Sequence, residues 1–243
     1  MKLFNEIIDC CDRNLIVNEV IVGVRTTLVR SLKSGLSSTF RNLQCYEAHT
    51  GLKDGGALTG IACNILIKKY RNDDLTERSV AVAALNAIVQ SQKRNSYQSL
   101  NAFEIILRKA TGKNAVVVGQ FPFVKKLESV VNSLMIINEI PENGWKGVEK
   151  ARDHFPSADV IAITGSAMIN GTMADLLNLA RGKYVIVLGA STPMSSVMFD
   201  WGVDALCGTV VEDVDRVRDY VLQGASFRNM KGIRRVTWIK DEC

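Results

Sequence analysis

The second half of the chain carries the pattern that most constrains its fold. From Asn114 onward, residues 115–118, 134–137, 160–163 and 184–188 are short apolar runs without a polar residue at every second position. A strand wetted on one face alternates apolar and polar side chains, whereas a strand covered on both faces has no such alternation. Covered strands are the mark of a parallel sheet packed between helices. Between the runs lie residues 123–131, 147–154 and 172–180, each readable as a helix. Residues 204–211 form a fifth strand candidate and 214–222 a helix after it. Repeated βα units of this kind predict a doubly wound α/β sheet.

The first part reads differently. Ile16, Val20, Val22, Val24 and Leu28 mark residues 14–47 as β-structure, with Ser34-Gly35 as a turn signal before a strand at 39–46. After the glycine-rich Gly51-Leu-Lys-Asp-Gly-Gly56 the spacing becomes helical over 58–70, 76–90 and 101–109. Strands first and helices after predict an α+β unit. Thr111-Gly112 is a helix-stop signal. The expected organisation is therefore a smaller α+β domain over residues 1–111 and an α/β domain over residues 112–243. One continuous sheet through both segments would exclude that division.

A chain of 243 residues has room for two cores, and 47% hydrophobic with 23% charged residues excludes a disordered or collagen-like polymer. No apolar run approaches the ~20 residues needed to cross a bilayer. Residues 1–13 are amphipathic, with Glu6, Asp9 and Asp12, and lack the basic-then-apolar form of a secretory signal. The expectation is a cytoplasmic protein with no membrane partner. All of the net charge of +5 falls in residues 1–110. That excess is either a solvated basic face or a site attracting an anionic small molecule. Nucleic acid is not expected, because no Lys/Arg run carries interleaved aromatics.

The six cysteines, Cys10, Cys11, Cys45, Cys63, Cys207 and Cys243, include no C-x-x-C pair. Neither a zinc ribbon nor a disulfide framework is indicated. Cys45 and His49 are spaced to share a helical face, but no second pair completes a ligand set. No metal site is assigned from the sequence.

Ligands of open parallel sheets bind outside the carboxyl ends of the strands. Those ends read Gly119-Gln-Phe-Pro122, Glu139-Ile-Pro141, Thr164-Gly-Ser166, Gly189-Ala-Ser-Thr-Pro193 and Cys207-Gly-Thr209. Glycines let a ligand approach the backbone, and hydroxyls with free amides bind anions. Thr172 with Asp175 reads as a capping arrangement, and Thr192-Pro193 as a cap before a proline at the first helical position. The bland alternative is that these residues only cap helices and make turns. The G-x-G-x-x-G fingerprint is absent, since Gly119 stands alone, so a pyrophosphate cofactor is not supported. Glu139 occupies the place where an acidic residue would meet a ribose, which keeps an adenosine-type ligand as the alternative. No nucleophile–base set declares itself. His154 reads as a helix-end residue, and Lys53 and Asp54, near His49, as a polar turn able to supply acid–base groups. Asn86 in Ala83-Ala-Leu-Asn-Ala87 is either a satisfied core amide or a ligand contact facing the cleft.

Five ordered motifs carry a family resemblance. They are Ser79-Val-Ala-Val-Ala-Ala-Leu-Asn-Ala87, Val118-Gly-Gln-Phe-Pro-Phe123, Ile163-Thr-Gly-Ser166 with Asn170-Gly-Thr172, Gly189-Ala-Ser-Thr-Pro193 and Trp201-Gly-Val-Asp204. Together they resemble the heavy-metal chelation family, a prokaryotic domain-of-unknown-function family, over nearly the whole chain. The resemblance implies an enolase N-terminal-like domain, a Rossmann-like domain and a site between them. Carried over by motif, Asn86, Gly119, Phe121, Pro122, Glu139, Thr164, Gly165, Ser166, Asn170, Gly171, Gly189, Ser191, Thr192 and Pro193 line that site. Ala190 stands where the family usually has proline, which leaves its loop less rigid. The implied function is binding or processing of a small anionic or metal-chelating molecule in the interdomain cleft. The alternative is a nucleotide or adenosine-type binding module without chemistry. The reaction, any cofactor and the oligomeric state, a homo-oligomer included, stay open.

Overall fold

The computed structural model describes residues 1–40, 52–92, 97–138 and 147–240. Helix α1 (Lys2–Asp9) sinks Leu3, Phe4, Ile7 and Ile8, the apolar stripe of its amphipathic sequence. Strands β1 (Glu19–Val22), β2 (Thr26–Arg30) and β3 (Ser34–Ser38) then form an antiparallel sheet in chain order. Helix α2 (Cys63–Lys68) and a single 3-10 turn lead into α3 (Leu75–Ser91), whose N-cap Asp74 accepts a hydrogen bond from the Glu77 amide. Residues from Val80 to Val89 are buried on every side of α3, as expected of a helix sunk in a core.

Two local expectations need correcting. Ser34-Gly35 is not a turn: the reversal falls at Ser31, whose amide donates to Lys33 O (2.9 Å), and Gly35 lies inside β3. A Cβ on Gly35 would stand 2.1 Å from Ala83 O and 2.2 Å from Ala87 N. The glycine lets α3 lie directly on the strand. The helix expected from residue 58 starts only at Cys63. Before it, the Val17 amide donates to Ile61 O and the Gly60 amide to Val17 O, and this pairing holds the segment non-helical. The strand expected over 39–46 falls almost wholly outside the described residues.

The second half alternates as its sequence implies. Helix α4 (Ala102–Ala110) is followed by β4 (Asn114–Val118), α5 (Val124–Leu127), β5 (Ser133–Ile137), α6 (Gly147–His154) and β6 (Val160–Thr164). Next come α7 (Ala167–Asn170), α8 (Met173–Leu179), β7 (Tyr184–Leu188), α9 (Val197–Asp200), β8 (Ala205–Val211), α10 (Val214–Leu222) and β9 (Ile233–Ile239). The sheet runs β5-β4-β6-β7-β8-β9, parallel throughout except for β9, which is antiparallel to β8. β9 escapes the sequence pattern because Arg234 and Arg235 interrupt it and no helical crossover is needed to form an antiparallel neighbour. β5 departs from burial on both faces. It is an edge strand, and Met135 and Ile136 are exposed.

The two sheets are separate, and the architecture is mixed α/β. A large apolar cluster joins α1, α2 and α3 to one face of the six-stranded sheet through Val116, Val118, Ile161 and Ile163. The opposite face is covered by Ile105, Ile106 and Ala110 of α4 with Val124 and Leu127 of α5. Among the described residues no helix is long and apolar enough to cross a membrane.

Candidate functional site

The parallel strands stand in the order second, first, third, fourth, fifth, so the winding direction reverses between β4 and β6. A crevice forms at such a switch point because the connections from the two strands leave on opposite faces. Here a cleft of about 970 Å³ opens at that place and extends over the ends of β7 and β8 to β9. Its far rim is supplied by Arg25 in the β1–β2 turn, Thr26 at the start of β2, Ser38 at the end of β3 and Phe40 just past it.

Gly119 and Gly189 end β4 and β7 with φ of +111° and +116°, a region that side chains disfavour. At Gly119 a Cβ would also press within 3.0 Å of Thr164 Cβ. Of the residues named from sequence, Gly119, Phe121, Pro122, Thr164, Ser166 and Gly189 line the cleft together. Gly165, Ser191, Thr192 and Pro193 sit behind its wall. A Cβ on Gly165 would meet Thr192 N at 2.5 Å, so these two loops touch backbone to backbone. Ser191 Oγ accepts from the Ser38 amide (2.8 Å), and Ser166 Oγ donates to Ser38 Oγ (3.2 Å). Three serines thus fasten the small sheet to the strand ends of the large one.

The geometry overturns one cap assignment and keeps the position of the other. Thr192-Pro193 does not start a helix, since α9 begins only at Val197, and Thr192 Oγ1 is buried without a hydrogen-bond partner among the described residues. Thr172 stands at the N-cap of α8, as its sequence signals, but its side chain makes no cap bond and its hydroxyl donates to Asn170 Oδ1 (2.7 Å). Asn170 and Gly171 close α7, with Gly171 at φ +83°, and pack beside Arg78 away from the cleft lining. Glu139, like Cys45 and His49, lies outside the described residues.

Asn86 is buried, and its Nδ2 donates to Leu36 O (2.8 Å) and Ala190 O (3.4 Å). Its amide therefore ties β3 to the loop after β7, one layer behind the cleft surface. Asn86→Ala is expected to lower stability by about 1–3 kcal/mol, because it removes the donor to two carbonyls at a buried position. Thermal unfolding of the variant beside the wild type measures this. An unchanged melting temperature would overturn the tie.

Sequence reasoning missed the cations. Arg25, Lys126, Arg228 and Arg235 line the cleft, and no carboxylate does among the described residues. Arg235 Nη2 donates to Phe227 O (3.2 Å) and Arg228 O (3.1 Å), which fixes the turn that carries Arg228. The basic excess of residues 1–110 pointed only to Arg25; the other three come from a half that is neutral overall. The acid–base candidates are elsewhere. Asp54 pairs with Lys69 (2.9 Å) outside the cleft, and its hydrogen bond and charge hold the Asp54 carboxyl below the usual range. His154 ends α6.

Among the described residues no three His, Cys, Asp or Glu side chains converge in a way that could hold a metal ion. The one thiol in the lining, Cys207, is buried, and that burial pushes its pKa to about 11. The described donor set does not fit a bare heavy-metal ion.

Comparison with known proteins agrees with this architecture. A family model described as "Putative heavy-metal chelation" matches residues 101–240, and a second model of the same description matches residues 4–89. An uncharacterized protein of Methanocaldococcus jannaschii is 25% identical over 209 residues, covering 82% of this chain and 79% of its own length. A crystal structure of a protein of unknown function from Desulfitobacterium hafniense shares the fold with a TM-score of 0.84 at 22% identity, over 98% of both chains. A second, from Pyrococcus horikoshii, does so with a TM-score of 0.79 at 16% identity, again over 98% of both. With both segments matched under one description, the chain belongs to the heavy-metal chelation family.

Proposed function

We propose that the chain binds or processes a small anionic or metal-chelating molecule in the cleft between the three-stranded sheet and the strand ends of the large sheet. In this reading residues 1–111 form an enolase N-terminal-like unit and residues 112–243 a Rossmann-like unit, with the ligand held between them. The observation that carries it is the lining: four cationic side chains and, among the described residues, no carboxylate. Cations gathered on low-dielectric walls focus a positive potential into the cleft, which concentrates anions and repels a bare divalent ion. A metal therefore reaches this site as cargo already wrapped by an anionic organic chelator, or the chelator comes alone. A nucleotide-binding module is the second reading, favoured by the switch point between β4 and β6, where doubly wound sheets hold nucleotides.

Citrate and pyrophosphate at low ionic strength are expected to raise the melting temperature. A ligand at 100 times its dissociation constant adds about 2.7 kcal/mol. The paired substitution Arg25→Ala/Arg228→Ala is expected to weaken both anions by about tenfold or more, since a charge-assisted hydrogen bond contributes about 1.5–3 kcal/mol. Added salt should weaken them further. Binding of neither anion would overturn the proposal. Stabilisation by adenosine as strong as by AMP would favour the nucleotide module.

A further inference from the structure

The cleft has two unlike ends. At the β4 end, Phe121, Phe123 and Phe103 form a continuous aromatic wall: Phe121 and Phe123 are stacked with centroids 5.2 Å apart, and Phe103 leans on Phe123 at 5.4 Å. All three rings are half-buried and line the cleft. Lys126 Nζ stands 5.9 Å from the Phe103 ring, at the edge of this wall. At the other end, beside β9, Arg228 and Arg235 supply positive charge, with Arg235 resting on the Phe227 ring at 5.4 Å. Between them the floor is made by Gly119, Gly189 and Gly208, which place no side chain in the way. Four strand steps of about 4.8 Å, about 19 Å across the sheet, separate β4 from β9, and Arg235 is held at the β9 end by its bonds to Phe227 O and Arg228 O.

A bare inorganic anion has no use for this aromatic wall and fills only a small part of a cleft of about 970 Å³. Half-exposed rings at a cleft mouth are available to stack on a planar ligand, and ring pairs gain from offset stacking beyond the area they bury. We infer that the cleft takes a ring-bearing polyanion, its planar ring on the Phe121–Phe123–Phe103 wall and its anionic groups on the cleft's cations, Lys126 at the edge of the wall and Arg228 and Arg235 for a longer ligand. This deepens the proposed anion site and rests on that reading. The same chemistry comes from two sources, a nucleoside phosphate or an aromatic polycarboxylate.

The test uses two probe pairs closely matched in charge, ADP against pyrophosphate and trimellitate against tricarballylate, by titration calorimetry on the full chain. The ring-bearing member of at least one pair is expected to bind about tenfold more tightly than its ringless partner. Whichever pair shows the margin identifies the source. Phe103→Leu and, separately, Phe121→Leu are expected to reduce that margin severalfold while leaving the ringless anions unchanged. Two positions are used so that a folding defect in one variant leaves the other readable. Equal affinity within both pairs overturns the ring inference and leaves the anion site standing. Binding of none of the four overturns both.

Discussion

Gly35→Ala is expected to destabilise the protein by about 3 kcal/mol or more, at the upper end of what overpacking a core costs. The added methyl would meet Ala83 O, Ala87 N and Asn86 C, all backbone atoms of α3 and all within 2.7 Å. No rotamer change relieves a backbone clash, so the whole helix must move off β3. The movement would carry Asn86 with it and pull on the hydrogen bond to Ala190 at the strand end. For a chain of this size a loss of 3 kcal/mol lowers the melting temperature by roughly 6–12 °C. A fall of less than 2 °C would show that α3 can shift without cost.

Lys69→Met is expected to cost about 3–5 kcal/mol, because it strips a buried charge of its partner. Lys69 and Glu77 are both buried, with Nζ 3.2 Å from Glu77 Oε1 and 2.9 Å from the exposed Asp54. Removing the ammonium leaves the Glu77 carboxylate with Asn72 as its remaining side-chain hydrogen-bond donor among the described residues. Adding Glu77→Leu should recover much of the loss, since an apolar pair of similar volume replaces the ion pair without an orphan charge. The pH dependence follows from the same contacts. Burial alone would lower the Lys69 pKa, but hydrogen bonds and charge from Asp54 and Glu77 outweigh it and raise it above 10.5. A raised folded value means the stabilisation is present below pH 10.5 and is lost as pH rises through that folded value. For Asp54, held below 3.8 by Lys69, it is present above pH 3.8 and lost as pH falls through the folded value. Melting temperatures of wild type and Lys69→Met from pH 7 to 11 should converge at the alkaline end. A constant gap would exclude this account.

The extent to which the sequence foretold this protein follows the range over which each signal acts. The runs at 115–118, 160–163 and 184–188 stand as β4, β6 and β7 with shifts of one residue at most, because burial on both faces writes itself into consecutive side chains. Gly119 and Gly189 were legible as strand-end glycines, since positive φ excludes most other residues there. The five motifs pointed to the family that the chain is found to belong to, because each is a short contiguous string.

Other features have no local trace. Gly35 read as a turn because glycine marks turns and close helix approach alike, and the helix that decides between them is some fifty residues away. The cleft's cations come from a β-turn, a short helix, a 3-10 turn and an edge strand, spaced from Arg25 to Arg235. Periodicity determined the strands and helices of the second half, and with them which strand ends stand side by side. Only the tertiary structure decided which charges meet there, because electrostatic convergence depends on distance in space and not on position along the chain.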